Sequence, residues 1–323
     1  MISVTTLSII SILVIIGTIL PVSNSKHWFV RGQAYFRMWY PFIHLLLISI
    51  WIFMPTINAI TFILVFLLFI CAVSCLKDIL PFTRWYKKEI IGCSNREKMS
   101  TLNILIYNVY QKNDKYGKLI DKVNSINPDI VLLLETNKHW QKAMDPLIKK
   151  YPYNIMAIQE DTYGMMILSK LEPIEKNIEQ LTDQNIPSID CLVKIKDQKI
   201  RIRCLHPKPP IPGEAMSSKQ KDTEFMEAAK RIHQQPDDEL NIIIGDLNDV
   251  VWSKASKRLK KESGLKDPRV GRGTFSTFPT YFPIRFPLDQ IFCSSELLLS
   301  ELKVLENIGS DHFPIYVEFC IPE

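Results

Sequence analysis

From Met38 to Leu76 the chain carries no Lys, Arg, Asp or Glu. A bilayer core takes about 20 apolar residues per helix, so this run is long enough for two spans. The break between them is expected near Pro55-Thr-Ile-Asn58. A helical core of a soluble protein is the alternative, and so long an uncharged run argues against it. Leu7 to Val22 is also apolar except for Ser8, Ser11, Gly17 and Thr18. It lacks a basic leader, and Ser23-Asn-Ser25 is a poor small-residue cleavage site, so a retained span fits better than a signal peptide. The expected organisation is a membrane region over 1–80 with three spans (two as the alternative), a linker over 81–100, and a separate domain over 101–323.

Charge sets the expected orientation. Lys26, Arg31 and Arg37 lie between the first two spans, among Trp28, Tyr35, Phe36, Trp39 and Tyr40, which suit an interface. Lys77, Arg84, Lys87, Lys88, Arg96 and Lys98 follow the third, with Arg84-Trp-Tyr86 as a surface anchor. Three spans put both basic segments on one side, which places the C-terminal domain in the cytoplasm, at a bacterial inner membrane. Residues 1–100 carry nine Lys/Arg against three Asp/Glu, and residues 101–323 carry thirty against thirty-one. The near-neutral domain lacks the broad basic field of a non-specific nucleic-acid binder. Seven scattered cysteines with no Cys-x-x-Cys pair argue against a disulfide framework or structural zinc, and for a reducing compartment.

Strand-like and helix-like segments alternate through 101–323. Strands are expected at Asn103–Val109, Asp129–Glu135, Asn154–Ile158 and Gly164–Ser169. Asp190–Ile195 and Lys199–Leu205 read as a hairpin turning at Asp197-Gln198. Further strands are expected at 241–245, Leu288–Cys293, Leu302–Glu306 and Phe313–Phe319. Helical spacing marks Tyr116–Ile126, Lys138–Lys149, Ser217–Gln235 and a basic stretch at Val251–Lys261. So many strands call for two packed sheets with helices outside.

The strand ends carry the chemistry. Asn241-Ile-Ile-Ile-Gly-Asp-Leu-Asn-Asp249 is a buried strand running into a turn, and while the chain stays extended Asp246 and Asn248 share a face. Asn108 and Glu135 close the first two strands, and His206 closes the hairpin. Asp289 opens Leu288-Asp-Gln-Ile-Phe292, and Ser310-Asp-His-Phe-Pro314 opens the last strand. Each alone could be a cap or a turn residue. Together they form a carboxylate, amide and imidazole set without cysteine, which suits a hard divalent cation and phosphate chemistry.

In order and spacing these residues resemble the endonuclease/exonuclease/phosphatase superfamily. The matching stretches are Tyr-Asn-Val at 107–109, Leu-Leu-Glu at 133–135, Leu-His at 205–206, Gly-Asp-Leu-Asn at 245–248, Leu-Asp-Gln-Ile-Phe at 288–292 and Ser-Asp-His at 310–312. A membrane-spanning N-terminus before such a domain resembles a bacterial subgroup. The resemblance implies a four-layer α/β sandwich and magnesium as cofactor, with manganese as a substitute. It implies Glu135 as the main metal ligand, with Asn108 and Asp311 nearby, and Asn108 also against substrate. Asp246 would orient or deprotonate the attacking water, helped by Asn248. His312 would donate to the phosphate, kept cationic by Asp289, and His206 would be a general acid. Gln290 stands where the family usually has histidine, and its strand position turns it away from Asp289. Arg272 and Arg285 are candidate phosphate clamps, or plain surface arginines.

The expected function is a membrane-anchored, magnesium-dependent phosphoric-ester hydrolase acting on a lipid or lipid-linked phosphoester. A nuclease and an inactive membrane scaffold are the alternatives. No protein partner is legible.

Overall fold

Successive residues of a strand face opposite sides, and the strands of this chain bury both. In β1 (Ser100–Asn108), Leu102, Ile104 and Ile106 enter one core while Leu105 and Tyr107 enter another. The computed structural model describes residues 3–54, 58–182 and 185–322. One sheet has the order β10 (Leu298–Val304), β11 (Ile315–Ile321), β1, β2 (Ile130–Leu134), β4 (Met165–Ser169), β3 (Tyr153–Ala157). The other runs β5 (Pro173–Glu179), β6 (Ser188–Ile195), β7 (Gln198–Cys204), β8 (Glu239–Asp246), β9 (Asp289–Cys293). Between them Ile104, Ile106, Leu132 and Leu134 meet Ile200, Ile202, Ile242 and Ile244.

Helices cover the outer faces. α5 (Tyr116–Ile126), α6 (Lys138–Ala143) and α7 (Asp145–Lys150) place Leu119, Val123, Trp140 and Leu147 on the first sheet. α8 (Lys219–His233) and α9 (Lys254–Ser263) place Phe225, Ala228 and Leu259 on the second. The result is the expected four-layer α/β sandwich.

Two stretches, Val4–Val22 and Ala59–Phe82, are long and apolar enough to cross a membrane. They contain α1 (Val4–Ile19) and α4 (Ala59–Ile79). A third candidate is a pair bent by 75°. Its first arm runs from α2 (Trp28–Gly32) through a 3-10 stretch to Met38, and its second is α3 (Tyr40–Ile52). α1, α3 and α4 share a core of Leu7, Ile15, Leu47, Trp51, Leu64 and Leu68, and their outer faces expose Leu13, Leu46 and Phe62. Of the expected break, Pro55 to Ile57 lie outside the described residues; Asn58 caps α4, its Oδ1 accepting from the Thr61 N–H at 3.0 Å.

Several expectations are corrected. The helix expected over Lys138–Lys149 is two helices, with Pro146 in the first turn of the second. The hairpin turns at Lys196-Asp197, since Ile195 pairs with Gln198. β10 begins at Leu298, four residues earlier than expected. One cysteine pair departs from the expectation: Cys93 and Cys320, 227 residues apart, are disulfide-bonded, and the other five cysteines are free. That bond fastens the segment before β1 to the last strand. Cys93 N–H donates to the Leu299 carbonyl and Leu299 N–H to that of Ile91, both at 2.9 Å, and Ile90 is wholly buried in the central core.

Candidate active site

Two parallel pairs, β1 with β2 and β7 with β8, end at the same rim of the sandwich. Polar side chains just past such carboxyl ends converge without bending any strand. Asn108 ends β1 and is buried between the sheets. Its Nδ2 donates to Glu135 Oε1 at 2.9 Å and to Asp246 Oδ2 at 3.0 Å, so one amide bridges residues from opposite sheets. Glu135 sits just beyond β2 at φ 61°, and its second oxygen accepts from the Gln111 N–H at 3.2 Å.

Asp246 closes β8 directly after Gly245, whose φ of 143° brings the chain against the Leu205 carbonyl. It lies between two imidazoles, 3.5 Å from His312 Nε2 and 3.9 Å from His206 Nε2. Burial opposes its charge, yet those two imidazoles hold its carboxyl below the usual range. His312 Nδ1 is 2.8 Å from Asp289 Oδ2, which also accepts from Thr277 Oγ1 at 2.5 Å. Burial works against the imidazolium, but Asp289 and Asp246 outweigh it and push the His312 pKa up to about 10. Ser310 completes the frame: its Oγ donates to the Asn108 carbonyl at 2.8 Å and accepts from the His312 N–H at 2.9 Å.

Asp311 is half-buried, and burial raises its pKa against the pull of His312; Glu135 is raised for the same reason against His206. Glu135 and the Asn108 amide bonded to it are oxygen-bearing groups of the kind a hard dication takes, and Asp311 follows Ser310, which bonds to the Asn108 carbonyl. Asp246, Asp289 and His312 also lie close enough to offer atoms to one ion. In that trio, however, the imidazolium already balances the carboxylates and its Nδ1 is taken by Asp289.

The expected residues are not all in this cluster. Asn248 lies past the strand end at φ 47°, so its relation to Asp246 is not that of an extended chain. Its N–H donates to Asp246 Oδ1 and its Nδ2 to the Pro207 carbonyl, both at 2.9 Å, so it pins the loop after His206 to the rim. Arg272 is not brought to the site: its guanidinium holds the carbonyls of Pro268 and Ile90. Arg285 stacks 4.4 Å over the ring of Phe313, next to His312, with Nε buried and unpartnered. Gln290 faces away, donating to the Asp249 carbonyl at 2.5 Å and to Ser256 Oγ at 3.2 Å.

Sequence reasoning missed Thr277, Tyr163 (5.4 Å from the His206 ring) and Phe278 (4.8 Å from that of His312). It also missed Tyr35 and the buried Lys221, which both donate to the Asn248 carbonyl at 3.0 Å. None of these stands in a short motif, and Tyr35 comes from the N-terminal region. A hidden lysine in an amphipathic helix was the one available signal.

The family model of the Endonuclease/Exonuclease/phosphatase family matches residues 105–312. The chain belongs to this family. Members of known structure share the fold at low identity. D. rerio TDP2, solved in complex with a single-strand DNA product, superposes with a TM-score of 0.58 at 20% identity, over 68% of this chain and 99% of that one. A family protein from Bacteroides thetaiotaomicron gives 0.56 at 16%, over 70% and 100%. One from Leptotrichia buccalis gives 0.53 at 19%, over 67% and 98%. No curated protein matches the chain. Members of the family generally hydrolyse phosphoric esters.

Proposed function

We propose that the chain is a membrane-anchored, divalent-cation-dependent hydrolase of phosphoric esters, magnesium being the natural ion and the substrate a lipid or lipid-linked phosphoester. The observation that carries this reading is the single Asn108 amide joining Glu135 to Asp246, beside a cationic His312 held by Asp289. Glu135, Asn108 and Asp311 would hold the ion. When bound, it polarises the phosphoryl group and steadies the leaving oxygen. Asp246, kept ionised, accepts a proton from the attacking water, and the Asn248 N–H fixes its carboxylate. His312 donates from Nε2 to a phosphoryl oxygen while Asp289 retains Nδ1. His206, buried with Nδ1 unpartnered, donates to the leaving group.

The lipid preference is supported by the rim. Residues 278–286 form a loop closed at its base by the pairing of Phe278 with Phe286; Phe278 touches His312, and Phe286 packs on Tyr35 and Phe36 at 5.5 and 6.0 Å. Its tip exposes two aromatic side chains, Tyr281 and Phe282, 78% and 51% accessible. An amphiphile's chain finds more to bind there than a polynucleotide backbone does. The nuclease reading draws on the DNA product bound by the structural relative.

The test is a panel of sphingomyelin and glycerophospholipid vesicles, inositol phosphates, a bis-aryl phosphodiester and plasmid DNA, with magnesium and with chelator. Turnover of a lipid above all others is expected. Turnover of DNA alone would replace this reading with the nuclease, and turnover of nothing with the scaffold.

Two observations pull apart on the side of the membrane. The flanking cations favour the cytoplasm, whereas a Cys93–Cys320 disulfide persists in an oxidising compartment. Quenching whole cells in acid and alkylating the denatured chain separates them: Cys93 and Cys320 both labelled without reductant means the cytoplasm, and neither labelled until reductant is added means the opposite side.

A further inference from the structure

Between the end of the first apolar helix and α9 lies a cavity of about 270 Å³ that the proposed chemistry does not use. Four cations line it: Lys26 and Arg31 from the N-terminal region, Lys254 and Arg258 from α9. Asp222 of α8 is the one carboxylate in its wall. A single oxygen of Asp222 takes both Lys26 and Arg31, the latter at 3.2 Å. The second Asp222 oxygen is buried without a partner, so this carboxylate and Glu262 stand against four cations. Lys254 reaches only the neutral Asn24, and Arg258 is 62% accessible with Glu262 at 4.0 Å. Arg31 is 8% exposed, lines the cavity, and its buried Nε–H has no hydrogen-bond partner. An unsatisfied buried guanidinium donor beside surplus positive charge is a site built for an oxyanion. α9 begins at this wall, so its first-turn N–H groups add to the same field.

A second cavity, about 380 Å³, lies on the other flank of Lys254, which lines both. Its walls include Pro21 and Val22 at the end of one span candidate, and Ser74, Lys77 and Asp78 near the end of the other. Arg37 and Lys257 both bond to Asp78, leaving Lys77 and Lys254 in excess. Beside it Ile19 and Val22 are more than half exposed, an apolar flank against which acyl chains can lie. Charge at one end and exposed aliphatic surface at the other is the chemistry of an anionic phospholipid.

We propose that these two cavities, which meet at Lys254, bind the phosphate headgroup of an anionic phospholipid between the apolar helices and α9. The proposal rests on the membrane-anchored part of the reading above and is independent of the hydrolysis. It is tested on the full chain in neutral detergent by thermal unfolding, with added phosphatidylglycerol, phosphatidylcholine or inorganic phosphate. Phosphatidylglycerol should raise Tm by a few degrees, phosphatidylcholine and phosphate should not, and Lys254→Gln/Arg258→Gln should abolish the shift. Both changed residues are exposed, so the fold survives the substitution. An equal shift with phosphatidylcholine, an equal shift with inorganic phosphate, or an undiminished shift in the double variant would overturn it. Carbonate extraction of native membranes tells the two failures apart. A chain that stays in the pellet yet gives no shift overturns the headgroup site alone, while a released chain overturns the anchor and the site with it.

Discussion

At Gly245 the backbone has φ 143°, and a β-carbon there would stand 2.0 Å from the Leu205 carbonyl oxygen. The carbonyl is backbone and the position of a β-carbon is fixed by its own backbone, so neither can swing aside. Gly245→Ala is expected to cost about 2–5 kcal/mol, from strain plus overpacking, read by denaturant titration. Asp289→Asn removes the anion that orients His312 and should lower turnover by about 10²–10⁴ with little change in Tm. Glu224 offers a different test, on stability. It is buried in α8 with Oε1 unpartnered, and burial pushes its pKa up to about 8. The folded chain therefore keeps this proton while the unfolded chain has lost it above the ordinary range near 4.5. Its contribution is complete below that range and is lost as pH climbs through about 8. The loss is on the order of 3–5 kcal/mol. Glu224→Gln should flatten the corresponding fall of Tm with pH. At this scale the sequence is most legible where residue type and strand position agree, as at Asn108, Glu135, Asp246 and Asp289. It is silent on Thr277 and Tyr35, because a hydroxyl in a loop carries no sign of the carboxylate or carbonyl it will meet.

Elements were legible where hydrophobic period and burial coincide. α5 lies where Leu119, Ile120, Val123 and Ile126 place it, and β2 and β8 follow their unbroken aliphatic runs. β5 escaped notice because it is an edge strand whose five central residues are all exposed, so Glu175, Lys176 and Asn177 read as loop. The two-helix reality of 138–150 turns on Pro146, which cannot continue a helix but starts one well. The interfacial arm from Trp28 to Met38 was legible as an aromatic belt and not as a neighbour of the site. Trp252 Nε1 donates to the Ala34 carbonyl at 2.8 Å, and Tyr35 to that of Asn248. Tyr35→Phe keeps the ring packing and removes that bond. It should cost about 1 kcal/mol of stability and lower turnover several-fold, measured on the full chain in detergent.

Across the whole molecule, the ten expected site residues divide by the topology. Those at the ends of parallel pairs or beside them come together, whereas the two loop arginines do not join them: Arg272 holds backbone carbonyls and Arg285 stacks on Phe313. Removing divalent ions with a chelator should abolish turnover, and magnesium or manganese should restore it; activity that survives exhaustive chelation would exclude a metal position at Glu135. Ion removal should also change the pH dependence of unfolding in the acid range, because Glu135 and Asp311 lose the charge that would favour their ionised forms. The disulfide was beyond sequence reasoning: nothing about Cys93 and Cys320 announces that β11 returns beside the segment leading into β1.

That segment has one more consequence. The domain is moored twice, by the fastening of residues 90–93 along β10 and β11 and by the seating of Ala34 and Tyr35 on the loop after β8. A protein on a single loose leash could sweep a volume of solution, whereas one held at two points stays at a fixed height and angle. On the membrane anchor proposed above, its working radius would be that of its own rim, and a substrate would have to come to it within the plane of the surface.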